Sequence, residues 1–310
     1  MMVLAIVVGA IICLNLISLF INQVFFSHEL DDIQPYGKMV GVNGKNMHVY
    51  SMGDGDDTIV LLPGVGVPLP SADLSPLMRE LSKDYTVVCI ENFGVGFSDE
   101  TDMPRTNENY TEEIRSVLSS AGFAPPYILM PHSGSGIHSE YYASKYPDEI
   151  SAIILLDPTP SADIISPDIP KFALNLSKVQ QAIGLTRVFN PLIISSVLGI
   201  NEKDGYTPKE IADYTKFMNH VNNDTIIDQT YRFNDNIREV MGMDFPDSIP
   251  ALRILSSETE GKLRDDVLKK HLARLGSKAE SITLDGNHFI YHMAAREIVE
   301  ATIAFLGKMN

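Results

Sequence analysis

The chain has 310 residues, of which 45% are hydrophobic and 21% charged, and its formal net charge is −16. These values are typical of a folded protein with a substantial core and exclude a disordered chain. The negative charge argues against binding to nucleic acid, whose phosphates require Lys and Arg, and against adhesion to anionic lipid headgroups.

The N-terminal segment differs from the rest of the chain because residues 1–26 contain no charged side chain. As a helix, Val3 to Ile21 would be roughly 29 Å long, close to the ~30 Å hydrocarbon core of a bilayer. A cleaved signal peptide is the alternative, but its apolar region is usually shorter, and residues 20–32 lack a small-x-small cleavage motif. We therefore predict a single-pass anchor over residues 1–26.

Residues 27–37, which contain Pro35 and Gly37, are predicted to form a linker. The first Lys is Lys38, so no cluster of Lys or Arg marks this side of the helix as cytoplasmic. We expect the large domain to lie outside the cytoplasm.

Strands and helices then alternate in the sequence. Two short strands at 38–42 and 47–52 are joined by Asn43-Gly44, a hairpin signal. Apolar runs predict further strands, and the segments between them have helical periodicity, so the chain is expected to form a mostly parallel sheet with helices on both faces. These strands are predicted at 58–62, 86–90, 127–130, 152–156, 251–255 and 281–284.

The alternation is interrupted by a long segment between Asp157 and Ile249. This segment shows several helical patterns and no convincing strand. We predict a helical lid over residues 158–249, inserted between a first core part at 38–157 and a second at 250–310. A separate helical domain with another purpose is the alternative.

A lone serine lies in a run of small residues directly after the apolar segment Tyr127–Met130. The pattern His132-Ser133-Gly134-Ser135-Gly136 before a helix is typical of a nucleophile elbow, although Pro131 and Ser135 occupy the usual glycine positions. We favour Ser133 over Ser135, because Ile137 would crowd a turn centred on Ser135. The alternative is that Ser133 only caps the following helix.

Four motifs occur in the order found in one enzyme superfamily. They are residues 62–66 (LPGVG), 91–99 (ENFGVGFSD), 132–136 (HSGSG) and 285–288 (DGNH). Together with Leu155-Leu156-Asp157-Pro158 they resemble the α/β-hydrolase superfamily, from Lys38 to the C-terminus. Pro63 stands where the family usually has His. The resemblance implies the α/β-hydrolase fold.

The resemblance also implies the roles of the candidate catalytic residues. Ser133 would be the nucleophile and His288 its general base, while the backbone N–H groups of Val65 and Gly134 would form an oxyanion hole. Glu258 is the preferred acid because it follows the strand after the lid, where the family usually places this residue. Asp157 is the alternative acid and Glu260 the third choice.

The expected activity is that of a membrane-anchored serine hydrolase, of the carboxylesterase or lipase type, acting on a small, partly apolar acyl substrate. No metal or organic cofactor is implied. The two cysteines, Cys13 and Cys89, lie in apolar segments and predict neither a disulfide nor a metal site. The alternative function is a catalytically idle relative that binds a ligand or a partner.

Overall fold

The computed structural model describes residues 2–164 and 166–309 and shows one eight-stranded sheet in the order β1-β2-β4-β3-β5-β6-β7-β8. β1 and β2 pair antiparallel, β2 pairs antiparallel with β4, and all remaining neighbours are parallel. The strands are β1 (Lys38–Val42), β2 (Lys45–Met52), β3 (Thr58–Leu62), β4 (Thr86–Glu91), β5 (Tyr127–Pro131), β6 (Ile150–Leu156), β7 (Ala251–Ser256) and β8 (Glu280–Leu284).

Each face of the sheet is covered by apolar side chains. Along β3, Val60 and Leu62 belong to the core on one face, while Ile59 and Leu61 belong to the core on the other. Burial on both faces explains why the central strands are continuous apolar runs rather than alternating ones. Because β3 to β8 run parallel, their carboxyl ends meet at one edge of the sheet, where the loops that follow them come together.

Helices connect and cover the strands. Cap residues set several helix ends: the Thr106 side chain accepts a hydrogen bond from the Asn109 amide, and Gly122 ends the same helix with φ 91°. The helices are α1 (Met2–Phe26), α2 (Pro70–Asp73), α3 (Ser75–Leu81), α4 (Asn107–Ala121), α5 (Ser135–Lys145), α6 (Lys171–Ala182), α7 (Leu185–Ile193), α8 (Pro208–Phe217), α9 (Asp224–Met241), α10 (Ser257–Lys262), α11 (Asp265–Arg274) and α12 (Ala295–Leu306).

The predicted α/β-hydrolase architecture is confirmed, and each predicted strand has a counterpart in the sheet. The residue pattern also predicts helices over residues 191–198 and 262–275, and both differ in their bounds. The first begins earlier, as α7, and ends in a π-helical turn at Ile194–Leu198. The second begins only at Asp265, as α11, because Leu263 and Arg264 have extended backbone and Lys262 ends the separate helix α10.

The segment between β6 and β7 contains α6 to α9 and, in its described residues (all but 165), no strand. We call it the helical insertion. The prediction that it acts as a lid, and the predicted domain boundaries, remain predictions.

The apolar helix α1 lies beside the helical insertion. Within the described part of the chain it is the one helix long and apolar enough to cross a membrane, over Ile6–Phe26. Its Ser18 hydroxyl donates a hydrogen bond of 2.5 Å to the Ile183 carbonyl, and the Asn22 amide donates one of 3.0 Å to the Ala182 carbonyl. The C-terminal end of α6, the first helix of the insertion, is thereby joined to the C-terminal half of α1.

Candidate active site

Ser133 lies at the sharp turn between β5 and α5. Its φ is 53°, a left-handed conformation that is uncommon for a residue with a side chain and that often marks a functional site. Close packing explains the small residue that follows, since a Cβ atom on Gly134 would come within 2.9 Å of both Phe233 and Val65. The turn therefore has the strained geometry expected of a nucleophile elbow.

Ser135, the competing serine, is placed differently. Its side chain is fully buried and its hydroxyl donates a hydrogen bond to the Pro63 carbonyl, with the Tyr110 hydroxyl 3.2 Å away. Ser135 thus joins the start of α5 to the loop after β3. The structure gives it a position in the core, whereas Ser133 lines a cavity.

His288 lies between Ser133 and a carboxylate. Its Nε2 atom is 2.8 Å from Ser133 Oγ, and its Nδ1 atom is 2.6 Å from Asp157 Oδ2. A carboxylate can only accept a hydrogen bond, so Nδ1 carries the proton and a neutral ring leaves Nε2 free to accept the hydrogen bond of the serine hydroxyl. Ser133, His288 and Asp157 therefore form a continuous chain of hydrogen bonds.

Asp157 is the carboxylate of this chain and follows β6 directly. It is fully buried and has φ 41°. Besides His288, its Oδ1 accepts a hydrogen bond of 2.7 Å from the Ser256 amide, and its Oδ2 accepts one of 2.6 Å from the Thr259 hydroxyl. These donors compensate for the cost of burying a carboxylate and fix its orientation toward the imidazole.

The sequence favoured Glu258 as the acid, and the geometry corrects this prediction. The carboxylate that contacts the imidazole of His288 is that of Asp157. Glu258 Oε1 pairs with Lys262 at 2.5 Å, and Oε2 accepts a hydrogen bond of 3.1 Å from the His288 backbone amide, not from its ring. Glu260 is also apart, with its carboxylate 3.0 Å from the Thr283 hydroxyl.

The physical reason is the start of α10. Ser256 caps this helix by accepting a hydrogen bond from the Thr259 amide, so Glu258 lies in its first turn, where its exposed carboxylate reaches Lys262 one turn later. The lysine pairing and the His288 amide both lower the pKa of Glu258. Its charge is therefore engaged outside the hydrogen-bond chain.

A cavity of about 250 Å³ opens beside the Ser133 hydroxyl. Val65 and Gly134 lie in its wall, in keeping with the prediction that their backbone amides face a bound carbonyl; that role itself remains a prediction. The rest of the wall comes from the helical insertion and the residue Thr159 after β6. These residues are Thr159, Ser166, Pro167, Asp168, Ile169, Thr230, Tyr231, Phe233 and Asn234.

Comparisons with known proteins agree with this fold. A family model of the alpha/beta hydrolase fold matches residues 57–183. The crystal structure of wild-type Cfl2 from Burkholderia cenocepacia superposes with a TM-score of 0.70 at 16% sequence identity, covering 86% of this chain and 94% of that one. The chain has the α/β-hydrolase fold.

Two proteins with related sequences match different shares of the chain. The chain is 28% identical over 317 residues to the uncharacterized protein YbdG of Bacillus subtilis (strain 168), covering 97% of this chain and 95% of YbdG. It is 26% identical over 148 residues to the 2-(acetamidomethylene)succinate hydrolase of Mesorhizobium japonicum, covering 46% of this chain and 53% of that enzyme. The second relative therefore matches about half of its own length.

His132 makes a contact in the site that could not be predicted from the sequence. The ring is buried and its Nε2 donates a hydrogen bond of 2.9 Å to the His288 carbonyl. Burial, and then the neighbouring His288, hold the pKa of His132 well below its usual value, so the ring is neutral. A histidine before the nucleophile is visible in the sequence, but its partner lies 156 residues away.

The donors to Asp157 were also not predicted. Ser256 and Thr259 look in sequence like the start of a helix with a serine cap, which they are. Only the pairing of β6 with β7 brings that cap beside Asp157.

Across residues 2–164 and 166–309, no group of three or more His, Cys, Asp and Glu side chains is arranged to hold a metal ion. The expectation that the α/β hydrolase needs no cofactor remains a prediction.

Proposed function

We propose that this α/β hydrolase is a serine hydrolase that cleaves a carboxylic ester through an acyl-enzyme at Ser133, with His288 as general base and Asp157 as the acid. The observation that carries the proposal is the continuous hydrogen-bond chain of 2.8 Å and 2.6 Å from Ser133 through His288 to Asp157. The relative from Mesorhizobium japonicum is named as a hydrolase, which supports hydrolysis as the reaction class.

The chemistry follows from this chain. As Ser133 Oγ attacks the ester carbonyl carbon, its proton passes to His288 Nε2, and the buried Asp157 carboxylate stabilises the imidazolium that forms. The C–O bond to the leaving alkoxide then breaks, and His288 returns the proton to that oxygen. Water, activated by the same imidazole, attacks the acyl carbon and frees the acid.

The backbone amides of Val65 and Gly134 are proposed to stabilise the oxyanion. Both residues lie in the cavity wall beside Ser133, and Gly134 is also the N-cap of α5, whose first amides have no partner within the helix. Removing one donor from such a site typically lowers kcat by about 10²–10³.

Hydrolysis of p-nitrophenyl esters of increasing chain length tests this function. The wild-type chain is expected to hydrolyse them, and Ser133→Ala to lose the activity. Ser135→Ala is the matched control because it removes a neighbouring hydroxyl that lies in the core. A folded wild-type protein without esterase activity would favour a relative that only binds a ligand or a partner.

We further propose that α1 is a retained single-pass anchor with the hydrolase domain outside the cytoplasm. Its bonds from Ser18 and Asn22 to the helical insertion would be lost if a signal peptidase removed it. N-terminal sequencing of the mature protein tests retention, and protease digestion of sealed right-side-out vesicles tests orientation. A mature N-terminus beyond Phe26 contradicts the anchor, and protection of the domain contradicts the orientation.

A further inference from the structure

The first helix of the helical insertion has an unusual distribution of side chains. On α6, Phe172, Leu176 and Val179 are 78%, 55% and 54% exposed and lie on one face, at spacings of four and three residues. The other side of the helix is partly buried, and Gln181 there accepts a hydrogen bond from the Asn222 amide. The apolar face of an amphipathic helix therefore points away from the protein.

The neighbouring helix α1 indicates what covers this face. Ser18 and Asn22 of α1 donate hydrogen bonds to the Ile183 and Ala182 carbonyls, at the C-terminal end of α6. Both residues belong to the candidate span Ile6–Phe26. They are polar groups in an apolar helix, which need hydrogen-bond partners in a membrane, and the free carbonyls of a helix end supply them.

The length of α1 fixes the depth of this contact. The candidate span Ile6–Phe26 has 21 residues. At about 1.5 Å per residue it is roughly 31 Å long, which matches the ~30 Å hydrocarbon core of a bilayer. Ser18 and Asn22 lie in the half of this span nearest the hydrolase domain. The C-terminal end of α6, which is bonded there, lies at the boundary between lipid and water.

The Ser133 cavity lies at the other end of the same helix. Ile169 and Tyr231 form part of its wall and are 45% and 49% exposed, and Pro170, directly after Ile169, is the N-cap of α6. The cavity wall at Ile169 therefore leads directly into α6, and Phe172 is exposed in the first turn of that helix.

We propose that the exposed face of α6 rests in the surface of the bilayer that α1 enters, and that the cavity takes its substrate, an ester with an apolar chain, directly from that lipid. This inference rests on the proposed anchor and on the proposed hydrolysis at Ser133, and it adds the source and class of the substrate. Lipid contact of α6 compensates for exposing its large apolar side chains.

Single tryptophans in the full chain test the lipid contact, because the natural sequence contains no tryptophan. The three variants are Phe172→Trp on α6, Ile17→Trp on α1 and Ile303→Trp on α12, each in phosphatidylcholine vesicles with or without brominated acyl chains. Ile303 is the matched control because it is 43% exposed on a helix of the hydrolase core.

The expected result is that bromine quenches the emission of Phe172→Trp and Ile17→Trp but leaves that of Ile303→Trp unchanged. Quenching of Ile17→Trp alone would show an inserted anchor with α6 away from the lipid, and would overturn the inference. Quenching of none, or equal quenching of all three, would overturn it as well.

The substrate source needs a second measurement with the same full chain. Phe172→Ser is expected to raise KM several-fold for a long-chain ester held in vesicles, relative to its KM for p-nitrophenyl acetate in water, while Ile303→Ser leaves this ratio unchanged. An unchanged ratio in Phe172→Ser would overturn delivery from lipid. If the wild type cleaves p-nitrophenyl acetate but not the vesicle-borne ester, the hydrolase proposal stands and the substrate class is wrong.

Discussion

The loops after β6 and β7 each present a carboxylate at the same edge of the sheet, in very different surroundings. Asp157, after β6, is fully buried and accepts hydrogen bonds from the His288 ring, the Ser256 amide and the Thr259 hydroxyl. Glu258, after β7, has a side chain that is 39% exposed and is paired with Lys262. Both contact His288, but only Asp157 contacts its imidazole.

The difference shows that the position of a carboxylate in the sequence does not determine whether it forms a hydrogen bond with the histidine ring. β6 lies between β5, which leads to Ser133, and β7, which leads to Glu258. The chain turns sharply at Asp157 and directs its short side chain along the sheet edge, whereas after β7 it enters a helix at once. Glu258 supports the backbone of His288, and Asp157 is positioned to set the charge and tautomer of its ring.

The largest difference in kcat between the two sites is expected when each carboxylate is replaced by its amide. Asp157→Asn is expected to lower kcat by about 10⁴, because an amide can hold the wrong imidazole tautomer. Glu258→Gln is the matched control and should change kcat less than about threefold, since an exposed ion pair contributes little. Steady-state hydrolysis of a p-nitrophenyl ester measures both. A larger loss in Glu258→Gln would restore Glu258 as the acid.

Removing a hydrogen-bond donor to Asp157 tests whether the surroundings of this carboxylate matter for catalysis. Thr259→Val keeps the shape of the side chain but loses the hydroxyl that donates to Asp157 Oδ2. A hydrogen bond to a charged group contributes about 1.5–3 kcal/mol, so kcat is expected to fall at least about tenfold. Thr283→Val is the control, because that hydroxyl donates to Glu260 instead. Equal kcat values in the two variants would contradict a special role for Asp157.

The two groups that hold the His288 backbone can be compared with each other. His132 donates to the carbonyl from a buried position, and Glu258 accepts from the amide at the surface. His132→Phe removes a buried hydrogen bond of about 1 kcal/mol, so we expect kcat to fall about fivefold with an unchanged KM. An accompanying rise in KM would indicate a wider rearrangement of the cavity.

The smallest expected effect concerns stability in acid. The Lys262 pairing and the His288 amide lower the pKa of Glu258 in the folded state. The stabilisation from Glu258 is therefore present above the pKa of the unfolded glutamate and is lost as pH falls through the folded pKa. Urea unfolding of Glu258→Gln from pH 6 to pH 3 should show a shallower loss of stability than the wild type. Parallel curves would contradict this.

The sequence allowed the fold to be predicted further than the site. Continuous apolar runs such as Thr58–Leu62 identify buried parallel strands because both of their faces are covered, and β3 has the bounds predicted for it. Ser133 and His288 could be predicted as candidate catalytic residues because each lies in a short local motif. The break between α10 and α11 could not be predicted, because neither Leu263 nor Arg264, which separate the two helices, is a proline or a glycine.

The carboxylate partner was not determined by sequence, because it depends on which strands are neighbours. Asp157 and His288 are 131 residues apart, and the donors Ser256 and Thr259 come from a third segment. The family resemblance places the acid after the strand that follows the helical insertion, and it favours Glu258 because this residue is nearest to the strand end. Pairing of β6 with β5 and β7, which no local pattern encodes, selects Asp157 instead.

Covalent labelling of the protein with a fluorophosphonate, followed by peptide mapping, tests most directly whether Ser133 is the nucleophile and Asp157 the acid. We expect one adduct, on Ser133, that forms at a similar rate in Glu258→Gln, forms far more slowly in Asp157→Asn and is absent in Ser133→Ala. Adduct on Ser135, no adduct on a folded wild-type chain, or equal labelling rates in Asp157→Asn and the wild type would contradict these assignments.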